Sequence, residues 1–270
     1  LPPLPLPLLA DNLSLKHQFR HAFVTQNPLD EIQRRFAERP NGDLRREDFT
    51  PERIAAYAQL VEKAGLGYTF LSQEEREKNR AAFLSAHPPD TDLWLFGYGS
   101  LMWNPAVETA ESAPARIEGF QRSFSLTLAF GRATPDRPGL MLVVIEGGAC
   151  AGVAWRIPAA KADSETQVLW MREMLSGAYR PVWLDLTFDD GRRARGFTFA
   201  AQPGHPRLEP TLDLETTAQR IARAQGERGT NRDYLFQCAD ALARYGLKDD
   251  LIARLDARVR AILADGSPIP

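Results

Sequence analysis

The chain has 270 residues, with 33 Lys and Arg against 35 Asp and Glu and 44% hydrophobic residues. That balance suits a soluble globular protein, gives no basic stripe for nucleic acid, and leaves no apolar run long enough to span a bilayer. Two cysteines, Cys150 and Cys238, support no disulfide framework, and four scattered histidines make no structural-zinc pattern.

The first residues, "LPPLPLPLLADN", alternate leucine with proline and follow no basic segment, so they read as an extended arm and not as a signal peptide. Residues 12–50 are polar, with short helical pieces expected. In "TPERIAAYAQLVEKAG", Thr50 suits an N-cap, Pro51 the first helical position and Gly65 the stop. Ile54, Tyr57, Ala58 and Val61 make one apolar stripe. "SQEE" at 72–75 is a capping box opening a helix to about Ala86. Pro88-Pro89 then ends it and marks the expected boundary between an arm-plus-helical extension, 1–90, and a second domain, 91–265.

Strands are expected at 93–97, 122–131, 140–146 and 151–157, all aliphatic or aromatic and bounded by Gly or Pro. A hairpin over 182–201 turns at Asp190-Gly191. One helix, 164–175, interrupts the strands. After Pro206 the texture is helical: one helix closes at Gly226, one opens on an Asn231 cap, and a last one places Leu251, Leu255, Val259 and Ile262 on one face. Strands that do not alternate with helices predict an α+β fold with a mainly antiparallel sheet or small barrel.

The loop "LFGYGSLMWNP", 95–105, carries two glycines one residue apart, which permit close backbone approach or positive φ. A dinucleotide fingerprint fails because residue 102 is Met, a phosphate loop lacks its Gly-Lys-Ser/Thr, and no Gly-x-Ser-x-Gly elbow exists. What remains is a set of amide N–H groups and a hydroxyl, suited to a small carboxylate or amide ligand, or else a tight turn at a strand end.

"WLFGYGSLMWNP" resembles the strand-loop signature of the ChaC-type γ-glutamylcyclotransferases, and the likeness continues in one order. "IEGFQRSFSL" resembles the family's Gly-aromatic-x-Arg-x-Phe strand, and "GRATPDRPGLMLVVIEGGACAGVAWRI" its glycine-rich central hairpin. "REMLSGAYRPVWLDL" is similar to the segment carrying the catalytic glutamate, and "GERGTNRDYLFQCADAL" to the start of a C-terminal helix. The resemblance spans about residues 92–260. It implies a small mixed, mainly antiparallel barrel with flanking helices, and cleavage of a γ-glutamyl amide such as glutathione to 5-oxoproline and a free amine.

By that resemblance Glu173 is the general acid and base. Leu95, Phe96, Gly97, Tyr98, Gly99, Ser100 and Leu101 form the substrate loop, and Tyr234 orients the substrate. Tyr98 faces either the site or the barrel core. Arg132 falls where relatives carry an "Arg-Gly-Thr" arginine, although Ala133 replaces the glycine, and "GHPRLEPTL" at 204–212 departs from the family pattern on the leaving-group side. The resemblance implies a small-molecule substrate and a reaction that needs no cofactor or metal; the charge balance and short apolar runs predict no nucleic-acid or membrane partner, the two cysteines make a reducing cytoplasm the default, and a monomer or weak dimer is expected. Two alternatives stay open: a cyclotransferase for other γ-glutamyl amines or peptides, and a non-catalytic glutamyl-binding protein. The extension before residue 90 lies outside the resemblance and has no assigned role.

Overall fold

The computed structural model describes residues 44–265. The proline-rich arm and most of the polar stretch after it lie outside the described residues.

Local capping chemistry sets the first helices. Thr50 Oγ1 accepts from the Arg53 amide at 3.3 Å and Pro51 occupies the first turn, which starts α1, Pro51–Lys63. At α2, Gln73–Leu84, the expected capping box is present in both directions. The Ser72 hydroxyl takes the Glu75 amide at 3.1 Å, and the Glu75 carboxylate takes the Ser72 amide at 2.7 Å.

Among the described residues, five strands close a barrel in the order β1-β3-β2-β4-β5. Their ranges are β1 Leu93–Gly97, β2 Glu111–Leu128, β3 Gly139–Ile157, β4 Tyr179–Phe188 and β5 Arg193–Ala201. All neighbours are antiparallel except β5 against β1, where Trp94 faces Gly196 and Leu95 faces Phe197. The mixed, mainly antiparallel barrel is therefore the observed fold. β1 reads as an unbroken apolar run because both its faces are covered. Trp94 and Phe96 enter one core with the C-terminal helices, while Leu93 and Leu95 pack against Leu169 and Trp170.

One expectation needs correcting. Residues 140–146 and 151–157 are not separate strands but parts of β3, and the partner strand begins at Glu111 instead of Arg122. The "GG" at 147–148 does not reverse the chain. Glu118 faces Ala149 and Phe120 faces Glu146, so two residues of β3 oppose Gly119 alone, with positive φ at all three glycines. This bulge bends the long pair, and bending a long pair is what lets so few strands close.

Helix α3, Ala162–Glu173, fills the gap between β3 and β4. After β5 come α4, Leu214–Arg223, a short ladder of β6, Gln225–Gly226, with β7, Gly229–Thr230, then α5, Asn231–Arg244, and α6, Asp250–Ala264. The cap of α5 is also corrected. Thr230 is the N-cap, in a capping box with Asp233, and Asn231 is the first helical residue. The fully buried Asn231 amide is used elsewhere: Oδ1 accepts from the Leu140 amide and Nδ2 donates to the Leu140 carbonyl, both at 2.8 Å. That clasp fixes the start of α5 onto β3.

Candidate active site

Glu173 is the last residue of α3. Leu169 and Trp170, one turn earlier, are buried against Phe197 and Phe199, and the Trp170 indole donates to Asn79 Oδ1 of α2 at 2.8 Å. With that face anchored on the barrel, Arg172 and Glu173 turn toward a cleft of about 200 Å³, lined also by Ser100, Trp103, Tyr179 and Tyr234. The Glu173 side chain is only 14% exposed and lies 2.8 Å from Arg172 Nε. Burial raises its pKa above the ordinary 4.5, while the charge of Arg172 and its hydrogen bond pull the other way. The helix C-terminus, carrying partial negative charge, acts in the same direction as burial.

Arg172 is the residue that sequence reasoning missed. Besides Glu173 it donates to the Asn104 carbonyl at 2.6 Å and to Ser100 Oγ at 2.9 Å, so one guanidinium ties the acid to the glycine loop. Because Ser100 Oγ accepts from Arg172, its own hydrogen remains to be donated. The adjacent "Arg-Glu" pair was the available signal, but a charged dipeptide on a helix ordinarily faces solvent.

The loop is held from behind. Arg122, the arginine of the "GFQRSF" strand, donates through Nε to the Tyr98 carbonyl at 2.7 Å and pairs with Asp249 Oδ2 at 2.7 Å. The Met102 amide closes on the Gly99 carbonyl at 2.8 Å, and the Asn104 amide on the Ser100 carbonyl at 2.9 Å. No acceptor among the described residues takes up the amides of Gly99, Ser100 or Leu101. Of the two uses open to the glycines, positive φ is not the one taken, since Gly99 sits at φ −129° and Gly97 is not among the positive-φ glycines. Close approach is the reason for both glycines. A Cβ on Gly97 would meet the Leu101 carbonyl carbon at 2.7 Å, and one on Gly99 the Tyr234 hydroxyl at 2.6 Å.

Of the residues expected at the site, Glu173, Ser100 and Tyr234 line the cleft, and Gly99 touches Tyr234. Arg132 lines it as well, donating to the Thr230 carbonyl and to Gln237, each at 3.2 Å. The side chains of Leu95, Phe96 and Leu101 are buried in the cores, so these positions and Gly97 offer the cleft at most their backbone. Tyr98 resolves its two orientations in favour of the core, where its hydroxyl donates to the Phe199 carbonyl at 2.7 Å. Burial drives the phenols of Tyr98, Tyr179 and Tyr234 well above their ordinary pKa, which keeps all three as neutral donors.

Comparison with known proteins decides the family. The family model described as "ChaC-like protein" matches residues 93–262. The chain belongs to the ChaC-like family. Over 197 residues it is 42% identical to the glutathione-specific γ-glutamylcyclotransferase of Escherichia coli K12, covering 73% of this chain and 85% of that one. It is 33% identical to γ-glutamylcyclotransferase 2-3 of Arabidopsis thaliana, covering 66% of this chain and 93% of the relative. The crystal structure of a yeast γ-glutamylcyclotransferase specific to glutathione superposes with a TM-score of 0.58 at 21% identity, covering 63% and 96% of the two chains, and so shares the fold. The ChaC-like match contains the loop, Glu173 and Tyr234. Leu44 and Phe70, which also wall the cleft, precede it.

Proposed function

We propose that the chain is a γ-glutamylcyclotransferase that cleaves glutathione to 5-oxoproline and cysteinylglycine. The observation that carries the reading is a mostly buried carboxyl lining the cleft, its pKa raised by burial, tied through one arginine to the Ser100 hydroxyl of the glycine loop. The activities for which the relatives are named give the substrate class.

The glutamyl α-amine attacks its own γ-carbonyl carbon, forming the ring C–N bond while the amide bond to the cysteinyl nitrogen breaks. Glu173 takes the proton from the attacking amine and returns it to the departing nitrogen, so no proton is lost or gained overall. A pKa lifted toward the working pH serves both halves of that exchange. The cleft holds the glutamyl chain bent, which converts ring closure into a short, oriented step. Amides of Gly99, Ser100 and Leu101 face the carboxylate or the developing oxyanion, and the Ser100 hydroxyl adds one donor. Tyr234, packed on Gly99, sets the depth of the pocket.

The test is incubation of the pure protein with glutathione while 5-oxoproline is measured. Glu173→Gln keeps the side chain's shape and removes its basicity, so turnover is expected to fall by roughly a thousandfold or more in a folded protein, in the range attributed to a positioned proton-transfer group. Near-normal turnover by that variant would remove Glu173 from the chemistry.

A further inference from the structure

Helix α3 stops at Glu173, and the backbone that follows has no further helical turn to supply donors for its carbonyls. Met174 and Ser176 are buried, so those carbonyls must find partners inside the protein. Two other segments provide them. The Leu175 carbonyl takes the Leu71 amide of the extension at 2.7 Å, and the Ser176 carbonyl lies 2.8 Å from Nε2 of His205, in the loop after β5. The turn that carries Glu173 into the cleft is therefore held from both sides.

His205 uses both ring nitrogens. Nδ1 accepts from the Arg207 amide at 3.1 Å, and since an amide N–H can only donate, the ring hydrogen sits on Nε2 and is donated to the Ser176 carbonyl. One neutral tautomer thus satisfies two partners on different segments. Arg207 extends the clasp. Its Nη1 donates to Ser176 Oγ at 2.9 Å, its Nε to the Thr127 carbonyl of β2 at 3.0 Å, and its carbonyl takes the Thr127 amide at 2.8 Å. Tyr68 closes the arrangement, 5.7 Å from the His205 ring centre and 5.5 Å beneath the Arg207 guanidinium. Ser176 and Arg207 both line the cleft, so His205 joins the turn after Glu173 to the end of β2 along one cleft wall.

We propose that His205 is a positioning residue for the proton-transfer group: as a neutral imidazole it locks the Ser176 turn and, through that turn, the aim of Glu173 into the cleft. The inference rests on the cyclotransferase reading above. A second ring proton would set Nδ1–H against the Arg207 amide, donor against donor, so the imidazolium cannot keep both partners. Among the described residues, the titratable groups facing the ring are Arg207 in its own loop and Tyr68 from the extension, while the turn after α3 offers it the Ser176 carbonyl. Burial lowers the His205 pKa below 6.5 and the charge of Arg207 acts the same way, against the Ser176 hydrogen bond. The clasp is accordingly closed at neutral pH and opens in acid.

The experiment measures kcat and KM for glutathione between about pH 5 and pH 8 on the full chain and on His205→Gln, reading 5-oxoproline. Glutamine does not titrate and leaves no acceptor at the Nδ1 position. Above pH 6.5 the variant's kcat/KM is expected to be about tenfold lower, the worth of one or two hydrogen bonds, and carried by kcat more than by KM. As pH falls through the His205 pKa the wild type loses its advantage, and the ratio of the two closes toward one. The ionisation of Glu173 is common to both proteins and cancels in that ratio. A ratio near one at every pH, even with a lowered Tm, would make His205 a structural clasp and overturn the proposal; a loss of the same size at every pH would overturn the role of the neutral ring. His205→Asn keeps an acceptor for the Arg207 amide but falls short of Ser176, so it is expected to lose kcat as well, and full kcat there would break the link from Ser176 to Glu173. Without any variant, the acid limb of wild-type kcat/KM is expected to require two ionisations, and a limb described by one would overturn the proposal. If the wild type yields no 5-oxoproline at any pH, the activity itself is wrong and the positioning role falls with it.

Discussion

At Glu173 the proposed proton-transfer role and stability make opposite demands. Its folded pKa lies above 4.5, so the native state holds a proton over a pH window where the unfolded chain has released it. By linkage, stability falls as pH rises through that window, from the ordinary value up to the raised one. The carboxylate is therefore a net cost at neutral pH, and Glu173→Gln is expected to raise Tm there, with the gain vanishing below pH 4.5. A Tm difference that does not change with pH would mean that burial and the Arg172 contact cancel and the pKa is not raised, and one that turns into a loss as pH rises would mean that the Arg172 contact dominates. The acid limb of kcat/KM is expected above the same value, because only the carboxylate accepts the amine's proton. Gly99 and Tyr234 form a second coupled pair. A methyl at 99 would stand 2.6 Å from the Tyr234 hydroxyl, and the ring behind that oxygen is buried beside Trp103 and Phe124. Gly99→Ala is expected to cost about 1–3 kcal/mol, the usual range for overpacking. In a Tyr234→Phe background, where the obstructing oxygen is gone, much of that cost should disappear. Additive losses in denaturant titrations of the double variant would mean that the two residues are not in contact.

Helices and strands reach the site through a few clasps, and the one at Asn231 is the most exposed to test. Asn231→Ala would strip partners from both the amide and the carbonyl of Leu140 inside the core. Two orphaned backbone groups are expected to cost about 2–4 kcal/mol in denaturant unfolding. Because α5 also carries Tyr234, KM should rise too, whereas Asn231→Asp, which keeps the acceptor, should lose less. The same element shows what was legible in the chain. Helix starts at Thr50 and Ser72, the run of β1 and the Asp190-Gly191 hairpin were all readable, since capping, periodicity and turn chemistry act over a few residues. Asn231 looked like a cap because its residue type favours caps, but a buried long-range partner claimed its amide. The β3 bulge looked like a turn for a similar reason: Gly-Gly signals a change of direction without telling a bend from a reversal. Glu173 is singled out by family likeness alone, and Arg172 leaves only the adjacent Arg-Glu pair as a local signal, because its other two partners, Ser100 and Asn104, lie about 70 residues away.

Across the whole molecule, the boundary expected near residue 90 marks where the ChaC-like match begins, yet side chains are packed across it. Phe83 of α2 stacks on Trp183 of β4 with ring centres 4.5 Å apart and planes 7° from parallel, and it also meets Trp170 and Phe197. Arg80, buried, bonds Thr166 Oγ1 at 2.8 Å and pairs with Asp163 at 2.8 Å, both on α3. These contacts pass from α2 through Trp170 to the helix that ends in Glu173, so the extension supports the acid as well as walling the cleft. Equilibrium unfolding is then expected to be one cooperative transition, with far-UV circular dichroism and tryptophan fluorescence coinciding. All 5 tryptophans lie between residues 94 and 183, outside the extension, whereas α1 and α2 contribute to the helical signal. An extension that melted on its own would lower the helical signal first and leave a second, barrel-only transition in the fluorescence. Phe83→Ala sharpens the comparison, since truncating a packed phenylalanine costs about 3–5 kcal/mol in a full core and somewhat less at this half-buried position. If α2 and the barrel are one cooperative unit, both probes should shift to lower denaturant together and kcat should fall as Glu173 loses its support. A shift confined to circular dichroism, with fluorescence midpoint and kcat unchanged, would establish residues 1–90 as an independent appendage.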